Sequence, residues 1–217
     1  MAGWDDAERV LSLKIVFYGP ALSGKTTNLV SLHGLLQPEL KGDMQILETK
    51  NDRTLFFDLL PLGIRLEDGK LIKLKLYTVP GQVVHNSTRK AVLSRADGII
   101  FVADSQLDQS ENNAESFDNL IQNTKVLGMD IQRTPLVIQF NKRDLDNILS
   151  TEDIQQRWSS TPWELLFASA LDKKGVVETF STLLNLVYLS LDDEYQLNKH
   201  YKLSQEKFVL DLIGNTV

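Results

Sequence analysis

The sequence predicts an α/β fold: a six-stranded, mostly parallel sheet with one antiparallel edge hairpin and helices on both faces. Three observations predict it. Apolar runs of strand length alternate with segments of helical periodicity along most of the chain. Asp68-Gly69 is a hairpin signal of the kind that needs positive φ, so the two strands beside it are antiparallel neighbours. Gly19-Pro20-Ala21-Leu22-Ser23-Gly24-Lys25-Thr26 spells a phosphate-binding loop between a strand and a helix.

The first strand, 13–18 (LKIVFY), is a continuous apolar run, as a buried parallel strand requires. It delivers the chain into the loop, and the helix over 25–36 leaves it. In that setting the backbone N–H groups from Gly19 through Ala21, Leu22, Ser23 and Gly24 to Thr27 surround a triphosphate, and the helix N-terminus adds its positive dipole end. Lys25 neutralises charge on the β- and γ-phosphates, and the Thr26 hydroxyl holds Mg²⁺. Residues 37–53 form a long polar connection, of a length that is usually functional.

The second and third strands, 54–60 and 71–79, form the hairpin; the third alternates Leu71, Lys73, Lys75, Tyr77 against Ile72, Leu74, Leu76, Thr78. It runs into Pro80-Gly81-Gln82. Gly81 allows a close backbone approach to the γ-phosphate, and Gln82 is placed to orient an attacking water. The antiparallel pairing brings Arg53-Thr54 near Thr78–Gln82, so two segments meet over one phosphate. His85 reads as a surface histidine, because phosphoryl transfer needs positioning and charge more than a base. Phe56 and Phe57 point to opposite faces of an edge strand, one of them toward the core or a partner, with Asp58 facing solvent.

A helix over 86–95, a strand over 98–104, a helix over 112–128 and a strand over 135–140 follow. That last strand ends at Asn141-Lys142-Arg143-Asp144, at the carboxyl edge where ligands of open α/β sheets collect. The Asp144 carboxylate accepts from the N1–H and 2-amino group of guanine. Adenine offers neither donor, so this side chain selects GTP over ATP. Asn141 ties the loop together and meets N7, and the Lys142 stem lies over the ring. After a helix at 151–158, the strand over 163–169 ends in Ser169-Ala170, where the Ala170 N–H can meet the guanine carbonyl. A helix over 175–190 completes the alternation.

With these residues in place the chain resembles a P-loop GTPase of the Ras-like class, and more narrowly the bacterial MglA family. The likeness is carried by YGPALSGKTTNL at 18–29, NDRTLFFDLLPL at 51–62, LYTVPGQV at 76–83, DGIIFVADSQ at 97–106 and QFNKRDL at 139–145. It implies a GTP-hydrolysing molecular switch in control of cell polarity or motility. Thr54 becomes the switch threonine that binds Mg²⁺ in the GTP state, Arg53 a built-in arginine finger, and Gln82 the water-positioning residue. It also implies a homodimeric roadblock-type activating partner of the MglB kind, and effectors that the residues do not identify. Two positions depart from the usual pattern. Thr78 stands where most small GTPases have an aspartate that reaches Mg²⁺ through water, and Ala21 stands where glycine is common. The alternative reading is a GTP-binding scaffold with negligible hydrolysis.

A chain of 217 residues suits one well-filled domain, here 1–191, with 192–217 as an added, helical extension carrying Leu197, Tyr201, Phe208, Val209, Leu212 and Ile213. A net charge of −6 argues against nucleic acid as a partner. Zero cysteines exclude disulfides, thiol catalysis, prenylation and S-acylation. Met1-Ala2-Gly3 lacks the glycine that myristoylation needs. The expectation is a cytoplasmic monomer without its own membrane anchor, recruited to a cell pole, if at all, by protein partners.

Overall fold

The computed structural model describes residues 4–5, 10–38, 41–47, 57–66, 69–82 and 85–214. Arg53, Thr54, Phe56 and Asp68 lie outside them.

Among the described residues, eight strands form one sheet in the order β3-β4-β5-β2-β6-β7-β8, with β1 antiparallel to β2. Six are those expected from the sequence: β2 (Val10–Tyr18), β4 (Phe57–Arg65), β5 (Leu71–Thr78), β6 (Gly98–Asp104), β7 (Leu136–Asn141) and β8 (Glu164–Phe167). Two short ones, β1 (Trp4–Asp5) and β3 (Gln45–Leu47), extend it. Parallel pairing runs from β5 through β2, β6 and β7 to β8. These central strands are buried on both faces, which explains their unbroken apolar character. The hairpin β4–β5 is antiparallel, with Leu59 opposite Tyr77 and Arg65 opposite Leu71. The amino end of β4 therefore lies beside the carboxyl end of β5.

The second strand reaches further than its expected end at residue 60. Pro61 and Gly63 are poor strand formers, yet the pairing with β5 carries the strand through both to Arg65. Part of the long polar connection is also strand: β3 pairs with β4, Gln45 opposite Leu59, and Lys41 bridges Leu62.

Helices cover both faces. On one face α1 (Lys25–Leu35) and α5 (Val176–Tyr195) bury a core of aliphatic side chains with Phe17 and Phe180. On the other, α2 (Asn86–Leu93), α3 (Ser110–Val126) and α4 (Thr151–Trp158) cover Val16, Ile99, Phe101, Ile138 and Phe140. Here Phe117 stacks edge-on against Phe101, Trp158 and Trp163.

The C-terminal segment is helical and packs back. Gln196 and Lys202, both at φ 51, break it into α6 (Leu197–Tyr201) and α7 (Gln205–Ile213). Ser204 caps α7 by accepting from the Lys207 N–H. Leu197, Leu203, Phe208, Val209 and Leu212 join the α1–α5 core, and the Tyr188 hydroxyl donates to the Leu203 carbonyl at 2.7 Å. Val209 and Leu212 sit three apart on one helical face, so burial follows directly from the spacing.

Candidate nucleotide-binding and hydrolysis site

Four segments converge at the carboxyl edge of the parallel strands: the loop after β2, Pro80–Gln82 after β5, Asn141–Asp144 after β7 and Ser169-Ala170 after β8.

The loop's shape depends on Gly24, the N-cap of α1. Its φ is 96, and a Cβ there would lie 2.2 Å from Asn141 Nδ2, so both backbone and space demand glycine. Lys25 is buried and its ammonium donates to the carbonyls of Gly19 (3.1 Å) and Pro20 (2.5 Å). The lysine thus spans the arch whose N–H groups it serves. Among the described residues, Ser23 Oγ is buried without a hydrogen-bond partner, an orphan polar atom of the kind a bound anion satisfies. Leu22, at φ 60, is almost fully exposed, and the Thr26 side chain also reaches the surface. Thr27 follows on α1.

Asn141 is the clasp. Its Nδ2 donates to the Ser23 carbonyl at 2.9 Å, and its Oδ1 accepts the Ala170 N–H at 2.9 Å. One buried side chain therefore joins segments 118 and 29 residues away. The same bond holds the Ala170 N–H at the carboxyl edge of the sheet, beside Asn141. Asp144 Oδ1 accepts from Ser169 Oγ at 2.7 Å, which fixes the carboxylate's orientation. Lys142 adopts φ 69, and its ammonium pairs with Asp104 Oδ2 at 2.6 Å and donates to Gln106 Oε1 at 3.2 Å. Asp104 is buried and otherwise held by Asn113 and the Gln106 N–H. Asp104 and Gln106 are parts of the site that sequence reasoning missed. Their signal was present in DGIIFVADSQ, where a charged residue closes an otherwise apolar strand.

Gly81 lies directly on the phosphate loop. A Cβ on it would meet Ala21 Cα at 2.3 Å, Ala21 N at 2.6 Å and Ala21 Cβ at 3.0 Å. Gln82 is exposed and lines a cavity of about 270 Å³ with Pro20, Ala21 and Gly81 on its side and Asn112, Glu115 and Ser116 of α3 opposite. His85 precedes α2, and its backbone N–H donates to the Gln82 carbonyl at 3.2 Å. Thr78 is buried at the end of β5.

For a divalent cation the described donors are sparse. Thr26 supplies a hydroxyl at the start of α1, and no cluster of three His, Cys, Asp or Glu exists among the described residues. Such a set suits Mg²⁺ held mainly by phosphate oxygens and water, the usual arrangement for that ion. Among the described residues, no helix is long and apolar enough to cross a membrane.

Comparison with known proteins agrees with this architecture. The ADP-ribosylation factor family matches residues 7–187. The chain is 42% identical over 185 residues to the mutual gliding-motility protein MglA of Myxococcus xanthus, covering 85% of this chain and 95% of that one. It is 26% identical over 186 residues to human ADP-ribosylation factor-like protein 4A, covering 81% and 84% respectively.

Proposed function

The chain belongs to the ADP-ribosylation factor family, on its MglA branch of small GTPases, and from that premise we propose a GTP-driven switch of cell polarity or motility, turned off with a homodimeric roadblock-type (MglB-like) partner. The observation that carries it is the Asn141 clasp, which ties the Ser23 carbonyl of the glycine-rich loop to the Ala170 N–H after β8.

In this reading Asp144, oriented by Ser169, accepts from guanine, and Lys142 shields the ring's face while paired to Asp104. The N–H groups of Gly19 to Thr27 and the Lys25 ammonium hold the phosphates. Thr26 and Thr54 would hold Mg²⁺, which would supply charge neutralisation to the phosphates. Gln82 orients a water for in-line attack on the γ-phosphorus; the bond to the β–γ bridging oxygen breaks, leaving GDP and phosphate. Arg53 stabilises the charge that develops on that oxygen, a contribution of about 10³–10⁵ in rate. Because Arg53 belongs to the same chain, the partner's task is to bring Arg53 and Gln82 inward. Gly81 senses the γ-phosphate by close backbone approach, and its present contact with Ala21 is what that phosphate displaces. The switch works in the cytoplasm, and polar recruitment comes from partners.

Single-turnover hydrolysis of loaded GTP, with and without the roadblock-type partner, tests the proposal. A basal rate of about 10⁻⁴–10⁻³ s⁻¹ that rises strongly with the partner is expected. Tight GTP binding and complex formation without acceleration would instead identify a scaffold.

A further inference from the structure

On the interface between α2 and α3 a cation is buried without its full set of partners. Arg89 of α2 is completely enclosed. Its Nη2 donates to Ser116 Oγ of α3 at 2.8 Å, and its guanidinium stands 4.4 Å from the centre of the Tyr18 ring. Among the described residues, Nε and Nη1 have no hydrogen-bond partner. The Tyr18 hydroxyl beyond that ring joins a polar network. Tyr18 donates to Asn119 at 2.6 Å; Asn123 donates to Tyr18 at 2.9 Å and to Asn86 at 2.7 Å; Asn119 donates to Asn86 at 3.2 Å. Asn86 opens α2 and Arg89 lies one turn later, so α3 grips the amino end of α2 at two points.

That grip is next to the reaction. Ser116, the partner of Arg89, and Glu115, whose charge acts on it, both line the cavity that faces Gln82. Burying a guanidinium is unfavourable, and here its bond to Ser116 and its place over the Tyr18 ring offset that cost, which ties α2 to α3 at this point. We propose that Arg89, acting through Ser116, is a positioning residue for Gln82: the pivot that holds α2 on α3 and sets where Gln82 stands relative to the phosphate loop. The proposal rests on the water-orienting role assigned to Gln82 above.

The test compares Ser116→Ala, Arg89→Lys, Gln82→Leu and the double variant Gln82→Leu/Ser116→Ala. Two quantities are followed in each: single-turnover GTP hydrolysis and the release rate of a fluorescent GDP analogue. Ser116→Ala and Arg89→Lys are expected to slow hydrolysis about five- to tenfold while GDP release stays within about twofold. In the Gln82→Leu background Ser116→Ala is expected to add nothing, because both act on one step. Additive losses, or hydrolysis and release changing together, would overturn the positioning role and leave Arg89 a structural residue. Unchanged hydrolysis in Ser116→Ala and Arg89→Lys, with loss in Gln82→Leu, would also overturn it while sparing the Gln82 reading. Unchanged hydrolysis in Gln82→Leu would remove that reading and this proposal with it.

Discussion

The two faces of the sheet are held by different chemistry. On the α1–α5–α7 face an aliphatic and aromatic core surrounds a few buried polar bonds, from Gln139 to Asn28 and Thr179 and from Tyr188 to Leu203. On the other face α4 and the base of α3 share a comparable apolar core, but α2 meets α3 through Asn86, Arg89, Ser116, Asn119 and Asn123. Apolar packing is non-directional and tolerates only the position that excludes water and voids. Hydrogen bonds are directional, and the one from Arg89 to Ser116 ties α2 to α3 at one point. The difference teaches that the C-terminal segment is held by packing away from the candidate site, whereas the polar α2–α3 contact borders the cavity that Gln82 lines.

Four substitutions or conditions bear on that contrast, beginning with the largest effect. Phe208→Ala empties a fully buried position on α7 whose ring stands 5.6 Å from Tyr188. It is expected to cost about 3–5 kcal/mol in denaturant unfolding and to leave intrinsic hydrolysis nearly unchanged. A large loss of turnover would erase the division between the faces.

Asn141→Ala removes the clasp where the loop meets the base-binding segments, leaving the Ser23 carbonyl and Ala170 N–H unpaired. At about 1–3 kcal/mol for each buried group left unsatisfied, GDP affinity should fall by roughly 30-fold or more. Calorimetric titration would measure it.

Alkaline titration samples both faces at once. Burial raises the pKa of Tyr18 and Tyr77 on the α2–α3 side, and of Tyr188 and Tyr195 on α5. Tyr195 is pushed up to about 12, by burial first and by Glu194 and Asp97 next. A phenol whose folded pKa exceeds its unfolded value near 10 favours the fold while neutral. Its contribution is therefore complete below about pH 10 and lost as pH rises toward 12. Tyrosinate absorbance should lag behind that of free tyrosine until unfolding releases it; ionisation of every tyrosine at the free-residue pKa would contradict this.

The smallest effect is expected at Ala21→Gly. The Ala21 methyl lies against Gly81, so its removal should loosen that contact and raise hydrolysis a few-fold, within about 1 kcal/mol of barrier. An unchanged or lower single-turnover rate would count against a steric role for this methyl.

Much of the molecule was legible in its residues. The six main strands and five helices of the alternation follow from apolar runs and helical spacing, and the deviations are instructive. The strand β4 passes Pro61 and Gly63 because β5 supplies its pairing, and β3 arises in a polar stretch because β4 offers an open edge. Lys142 announced itself as a ring-covering residue, but its ion pair with Asp104 depends on β6 lying beside β7. Arg89 lies within the predicted helix over 86–95, but its burial against Ser116 depends on the approach of α3.

The division has a physical cause. By itself the sequence determined whatever is set within a few consecutive residues: the glycine-dependent phosphate loop, the tetrapeptide 141–144, the hairpin turn and the apolar face of the tail. Their conformations follow from local backbone freedom, hydrogen-bonding capacity and periodicity. Tertiary structure alone decided the Asn141 clasp, the Lys142–Asp104 pair, the Gly81–Ala21 contact and the half-satisfied Arg89. Each joins groups far apart along the chain, and such partners are chosen only when the sheet and its helices close around them.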